Sequence, residues 1–143
     1  MDARRIVAGA ARFVAGALLV VAGALKLRAP GDFATEIANY QLFPALAPYL
    51  AAVLPVVEVF VGGALVVAPR GWRRPAALAS LALFTMFTVA VAAAYFRRIN
   101  VDCGCFGTGG GPITALTLLR DLGLVAASIV ALVTERAPSR PSA

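Results

Sequence analysis

The stretch "LPVVEVFVGGAL", residues 54–65, decides the fold, because one acidic residue interrupts an otherwise apolar run. The run lies in an apolar segment from about 46 to 68, longer than the roughly 20 residues that a helix needs to cross a bilayer. Glu58 would then lie near the middle of a spanning helix, where an unpaired charge costs several kcal/mol. We therefore expect Glu58 to point into a bundle, with Gly62 and Gly63 permitting close helix packing.

Three further apolar segments have spanning length, at about 6–27, 76–96 and 113–133. The 143 residues are 61% hydrophobic and 14% charged, whereas soluble domains have roughly 25% charged residues. These features predict an all-α integral membrane protein, a four-transmembrane-helix bundle in one membrane domain over 1–143. The tail 137–143 is expected to be disordered.

The connections between the segments carry their own signals. Residues 30–43 (PGDFATEIANYQLF) are too polar to span, but their apolar residues lie near helical spacing, which predicts a short interfacial helix between the first and second spans. Residues 69–75 (PRGWRRP) predict a tight basic turn between the second and third spans.

The start of the chain has a second interpretation. MDARR, an apolar stretch and the triplet Ala22-Gly23-Ala24 imitate a secretory signal peptide. The apolar run continues past the triplet to Leu27, which favours an uncleaved first span.

The arginines and lysines indicate how the chain is oriented. Four spans place both termini on one side of the membrane, and seven basic residues lie near the span ends there: Arg4, Arg5, Arg70, Arg73, Arg74, Arg136 and Arg140. Four lie on the other side: Lys26, Arg28, Arg97 and Arg98. The positive-inside rule then predicts a multi-pass protein of the inner or plasma membrane, with cytoplasmic termini and an extracytoplasmic loop 97–112. Because the net charge of +6 collects at span ends, we expect lipid contact and no nucleic-acid partner.

The predicted outer loop contains "VDCGCFG", residues 101–107, with both cysteines of the chain. A disulfide between Cys103 and Cys105 would close a very small ring, which Gly104 can accommodate without a Cβ clash. Such a bond would be strained and easily reduced. A strained, exposed disulfide is the labile kind, so the pair is predicted to lie exposed and to exchange disulfides rather than to staple the fold. Asp102 would oppose thiolate formation or accept a proton, and nearby Arg97 and Arg98 would favour the thiolate.

Two other interpretations of the thiols stay open. In the first, the two cysteines have no chemical role. In the second, the thiolates bind a soft ion such as Cu(I), but the chain has no histidine and only two methionines to complete such a site. A zinc site is not predicted, because four ligands are normally required.

Charged residues at membrane depth form a second group of candidates: Glu58, Arg120 and Asp121, with Lys26 at the outer end of the first span. Helix rise places Glu58 and Arg120 within roughly two turns of one another in depth. One interpretation is a buried Glu58–Arg120 ion pair that sets helix register. The other is a polar pocket that holds a quinone head group or relays a proton, with Lys26 extending toward water.

Several motifs together resemble the MauE family, within the DoxX-like group of four-helix membrane proteins: AGALKLRAPGDF (22–33), NYQLFPALAP (39–48), LPVVEVFVGGAL (54–65), DCGCFG (102–107) and LLRDLGL (118–124). The resemblance selects Lys26, Glu58, Cys103, Cys105 and Arg120. Members of this family assist periplasmic maturation of methylamine dehydrogenase alongside a thioredoxin-like companion, so the resemblance implies a thiol–disulfide role. It does not imply methylamine itself, because similar sequences occur outside that pathway.

The leading hypothesis is a membrane thiol–disulfide redox protein in which Cys103 and Cys105 exchange with a thioredoxin-like extracytoplasmic partner. Quinone is the candidate electron carrier, although the chain lacks the second cysteine pair usual in proteins that oxidise thiols with quinone. The alternatives are a non-enzymatic membrane scaffold or chaperone, and Cu(I) handling.

Overall fold

Helices make up nearly all of residues 2–103 and 111–135, which the computed structural model describes. They are α1 (Ala3–Arg28), α2 (Pro30–Asn39), α3 (Ala47–Val67), α4 (Arg70–Phe96) and α5 (Ala115–Thr134), with a 3-10 turn at Pro44–Leu46 before α3. The predictions for Gly104, Cys105 and the tail 137–143 concern positions outside these residues.

Four of the helices, α1, α3, α4 and α5, are long and apolar enough to cross a membrane. Their outward side chains are apolar and exposed, for example Phe60 at 74% and Phe96 at 77%, as expected for surfaces that face lipid. The predicted all-α, four-helix membrane bundle is confirmed, with the short helix α2 between the first and second spans.

The four spans form a ring in which α1 packs against α3 and α5, and α4 packs against α3 and α5. The short helix α2 packs mainly against α3 and buries Phe33. Deep in the ring, Ser80 of α4 donates a hydrogen bond to Ser128 of α5 over 3.3 Å, and both side chains are fully buried.

The predicted turn over 69–75 is wrong in extent, because α4 already begins at Arg70. Pro69 provides the extended residue before the helix, and its carbonyl accepts a hydrogen bond from the Trp72 N–H over 2.9 Å. Pro75 removes only one backbone donor near the start of α4, and the helix continues through it. The connection between α3 and α4 therefore consists of Ala68 and Pro69.

Glycines allow α1 and α3 to approach closely. A Cβ placed on Gly62 would lie 2.6 Å from the Gly16 carbonyl oxygen, and one placed on Gly16 would lie 2.8 Å from the Gly62 carbonyl oxygen. Nearer the other end of α1, a Cβ on Gly23 would lie 2.7 Å from the Pro55 carbonyl oxygen. The two backbones therefore touch at two levels, as small residues permit in membrane helices.

Gly62→Ala is expected to lower the thermal stability of the protein in detergent micelles, because its methyl group would overpack the α1–α3 contact at a cost of about 1–3 kcal/mol. Gly63→Ala is the matched control, since a Cβ there meets no atom within 4 Å. We expect the Gly63 variant to unfold at the wild-type temperature or above it. Equal melting temperatures for the two variants would contradict the close contact.

Candidate functional site

A buried ion pair joins α1 to α3. Lys26 Nζ lies 2.6 Å from Glu58 Oε1, and neither side chain is exposed. The predicted Glu58–Arg120 ion pair is therefore wrong, and so is the expectation that Lys26 extends toward water. Lys26 stays inside because Glu58 neutralises its ammonium where water is absent.

Aromatic rings complete the surroundings of the Lys26 ammonium. Nζ lies 4.5 Å from the ring centroid of Phe87 on α4 and 5.0 Å from that of Phe33 on α2. Such cation–π contacts stabilise a desolvated cation by roughly 2 kcal/mol. Gly23, one turn before Lys26, lets α1 approach Glu58 closely enough to pair. Four helices thus meet at one ammonium group.

A second polar cluster lies at the start of α5. Arg120 donates hydrogen bonds from Nε and Nη2 to Asp121 Oδ1 over 3.0 and 2.8 Å. Arg120 Nη2 also donates to Cys103 Sγ over 3.4 Å. Asp121 is buried, whereas the Arg120 side chain is 39% exposed. A guanidinium beside a sulfur favours the thiolate, the reactive form in disulfide exchange.

The backbone holds Cys103 in place. The Cys103 N–H donates to the Gly111 carbonyl over 2.9 Å, and Asp102 pairs with Pro112 in an isolated antiparallel bridge. Gly111 has a φ of 72°, a left-handed conformation that suits glycine. The two ends of the cysteine loop are therefore pinned together directly before α5.

Two expectations about the cysteine loop need correction. Cys103 is 2% exposed, so this thiol is not the exposed member of a labile pair. The guanidinium on its sulfur belongs to Arg120, whereas Arg97 donates to the Tyr40 carbonyl over 3.2 Å.

Sequence reasoning missed Glu36, which lies on α2 one turn after Phe33. Its Oε2 is buried and has no hydrogen-bond partner among the described residues. Burial, reinforced by the Asp102 carboxylate, raises the pKa of Glu36, although Lys26 opposes this effect. Cys103 is also close enough to raise that pKa. Glu36 thus belongs to the same electrostatic cluster as Lys26, Asp102 and Cys103. The spacing of Phe33 and Glu36 on one helix face was the available signal.

Two small cavities flank Phe87. One, of about 60 Å³, is bounded by α2, α3 and α4 and has Glu36 in its wall. The other, of about 20 Å³, lies among α1, α4 and α5 beside Asp121. Ligand pockets usually measure about 300–1,000 Å³, so neither cavity fits the predicted quinone head group. Within the described ranges, no three Cys, Asp or Glu side chains are grouped as a metal site.

Comparison with known proteins finds the same family that the sequence motifs resemble. The profile of the family "Methylamine utilisation protein MauE" matches residues 4–134. The chain is 41% identical over 107 residues to methylamine utilization protein MauE of Paracoccus denitrificans, covering 73% of this chain and 56% of the relative. It is 36% identical over 109 residues to methylamine utilization protein MauE of Methylophilus methylotrophus, with the same coverage. The chain thus matches about half the length of these relatives. No solved structure matches it.

Lys26→Met is expected to destabilise the protein by about 3–5 kcal/mol, because it leaves the Glu58 carboxylate buried without its counter-ion. Thermal unfolding in detergent measures this loss. The double variant Lys26→Met/Glu58→Leu should recover most of it, and the exposed neighbour Arg28→Met should change stability by less than about 0.5 kcal/mol. A double variant no more stable than Lys26→Met would contradict the pairing.

Glu36→Gln is expected to change how stability depends on pH. Because the folded-state pKa is raised, the neutral carboxyl supports folding at low pH, and this contribution is lost as pH rises through the folded pKa. The variant should match the wild type near pH 4 and unfold at a higher temperature near pH 8. Asp32→Asn, at an exposed carboxylate on the same helix, should retain most of the wild-type pH dependence, because Asp32 is the smallest of the causes that raise the pKa of Glu36. A Glu36→Gln profile parallel to the wild type at every pH would count against this assignment.

Proposed function

The chain belongs to the family of the methylamine utilisation protein MauE, and we propose that it acts as a membrane-embedded thiol–disulfide exchange protein. In this proposal Cys103 and Cys105 react with a thioredoxin-like extracytoplasmic partner and thereby support maturation of secreted, disulfide-containing proteins. The resemblance to this family makes methylamine dehydrogenase one candidate for such a protein.

The contact between Arg120 Nη2 and Cys103 Sγ carries the proposal. Asp121 fixes the guanidinium through two hydrogen bonds to one oxygen, so the positive charge stays directed at the sulfur. A thiolate at Cys103 is the leaving group when a Cys103–Cys105 disulfide is attacked at Cys105. Exchange is fastest when the leaving thiolate is stabilised, and Arg120 provides that stabilisation.

The burial of Cys103 suggests different roles for the two thiols. Because Cys103 is 2% exposed, a protein partner cannot readily reach its sulfur. We assign the mixed disulfide with the partner to Cys105 and the resolving step to Cys103. In the oxidising direction, a partner thiolate attacks Cys105 Sγ, the Cys103–Cys105 bond breaks, and Cys103 leaves as a thiolate beside Arg120. A second partner thiolate then displaces Cys105, so two electrons pass from the partner to the pair.

The proton that the Cys103 thiol loses when it becomes a thiolate has a nearby acceptor, the carboxylate of Glu36. Glu36 interacts electrostatically with both Cys103 and Asp102, and its raised pKa brings it closer to that of a thiol. In the reverse direction, when Cys103 becomes a thiolate to attack a mixed disulfide, Glu36 would take up its proton. The same exchange works in both directions, and no step requires a carrier within the bundle.

The proposed orientation follows from the distribution of basic residues. The excess of arginine at the end of the bundle that holds both termini and the start of α4 supports cytoplasmic termini. Cys103 then faces the periplasm or exterior, where protein disulfides form and persist.

A scaffold without redox chemistry is the second candidate, and the burial of Cys103 favours it. Most buried cysteines behave as small apolar residues. In that case the polar clusters would set helix packing, and the loop would only dock a partner.

The two candidates differ in which cysteine traps a partner. The full-length protein is presented in sealed, right-side-out spheroplasts. The probe is a thioredoxin that lacks its resolving cysteine. Its remaining cysteine is activated as a mixed disulfide with a chromogenic thiol, which is released when the protein attacks. Cys103→Ser should form the protein–protein disulfide through Cys105 at least about tenfold faster than Cys105→Ser does through Cys103. With both cysteines present and oxidised, Arg120→Gln should be reduced by a dithiol thioredoxin about tenfold more slowly than the wild type, matching the loss of a charge-assisted hydrogen bond.

The double variant Cys103→Ser/Cys105→Ser is the control for nonspecific capture. Capture in neither single variant would support the scaffold. Faster capture by Cys105→Ser would reverse the assignment of the two thiols. Reaction in inverted vesicles but not in spheroplasts would overturn the orientation while leaving the chemistry standing. Tight Cu(I) binding by the wild type, lost in the double variant, together with no capture, would favour copper handling.

A further inference from the structure

A wide cavity opens at the opposite end of the bundle from Cys103. It measures about 550 Å³ and lies where α1 and α4 begin and α5 ends. Five arginines contribute to its wall, together with a carboxylate and a few small or apolar residues: Arg4, Arg5, Arg12, Arg70, Arg73, Glu135, Ala8, Gly9, Val133 and Thr134.

Positive charge is in excess around this cavity, because five arginines face one carboxylate. Glu135 Oε1 binds Arg12 Nη1 at 2.9 Å and lies 4.0 Å from Arg73 Nη1. No carboxylate among the described residues lies within ion-pair distance of Arg4, Arg5 or Arg70. All seven acidic side chains of the sequence lie within the described ranges. Their carboxylates therefore leave these three guanidinium groups without a counter-ion.

Helix orientation adds to this excess. Arg4 and Arg5 lie in the first turn of α1, and Arg70 and Arg73 lie at the start of α4; neither first turn contains an acidic residue. The start of a helix carries partial positive charge, which disfavours cations and favours anions. An anion between these two helix starts would be stabilised by both the guanidinium groups and the dipoles.

The size and position of the cavity indicate which anion. Its volume lies within the range of small-molecule sites, and it lies at the end of three helices long enough to span a bilayer, where lipid headgroups would meet the bundle. Ala8, Gly9 and Val133 give it an apolar side, and a Cβ on Gly9 would meet no atom within 4 Å. We propose that this cavity binds the phosphodiester headgroup of an anionic phospholipid, with the acyl chains along the bundle.

The single tryptophan provides the measurement. Trp72 lies on α4 directly before Arg73 and is 66% exposed, so its fluorescence reports lipid bound beside the cavity. The purified full-length protein is reconstituted in mixtures of phosphatidylglycerol and phosphatidylcholine in which one lipid carries brominated acyl chains, which quench tryptophan. We expect the wild type to prefer phosphatidylglycerol by at least about tenfold.

Two variants test whether that preference comes from the cavity. Arg70→Gln should reduce the preference at least about fivefold, because it removes a cavity guanidinium that would donate charge-assisted hydrogen bonds directly to the phosphodiester. Arg74→Gln is the matched control, because it removes the same charge from the same end of α4 at an exposed residue outside the cavity wall. It should change the preference less than about twofold. Arg5→Gln, on α1, should behave as Arg70→Gln does and serves if the Arg70 variant does not fold.

Other results would overturn the proposal. Equal losses in Arg70→Gln and Arg74→Gln would show general surface attraction rather than a site. No preference in the wild type would show that no anionic lipid binds here. Complete displacement of brominated phosphatidylglycerol by excess inorganic phosphate or glycerol phosphate would assign the cavity to a soluble phosphate compound.

Discussion

The buried pair of Lys26 and Glu58 is the constraint on which the rest of the structure depends. Each charge alone would cost several kcal/mol in the bilayer, so α1 and α3 must meet where the two side chains reach one another. At 2.6 Å and without exposure to solvent, the pair fixes the depth and rotation of both helices. Gly23 permits that approach from the side of α1, and the contact between Gly16 and Gly62 continues it toward the other end.

The same ammonium group connects the pair to the cysteine loop. Phe33 and Phe87 cover Lys26 from α2 and α4, and Phe87 also separates the two small cavities beside Glu36 and Asp121. The buried charged side chains among the described residues, Lys26, Glu58 and Asp121, therefore all belong to the two ion pairs on either side of Phe87. A change in charge at Cys103 therefore alters the electrostatic potential at Glu36 with little screening, since water is largely excluded there.

Most of the fold follows from the sequence, because span length and hydropathy are local properties of the chain. The four apolar segments and the polar segment before the second span were sufficient to predict a four-helix bundle with a short extra helix. Which charged side chains pair with one another depends instead on which helices are neighbours in the folded bundle. Helix rise gives the depth of Glu58 and Arg120 but not which helices are neighbours, and α1 lies between α3 and α5 in the ring. Lys26 on α1 therefore pairs with Glu58. Glu36 was missed for the same reason, since only the packing of α2 brings it near Cys103.

The charges around Cys103 limit how its thiolate can form. Lys26 offsets Glu58, and Arg120 offsets Asp121, which leaves Asp102 and Glu36 as the surplus acids of the cluster. A thiolate at Cys103 would add a third negative charge, and the Arg120 guanidinium that contacts the sulfur is already paired with Asp121. Repulsion is smallest if Glu36 is protonated while Cys103 is ionised, because one negative charge is then shared between the two groups. Ionisation of the thiol and protonation of Glu36 are therefore expected to be coupled.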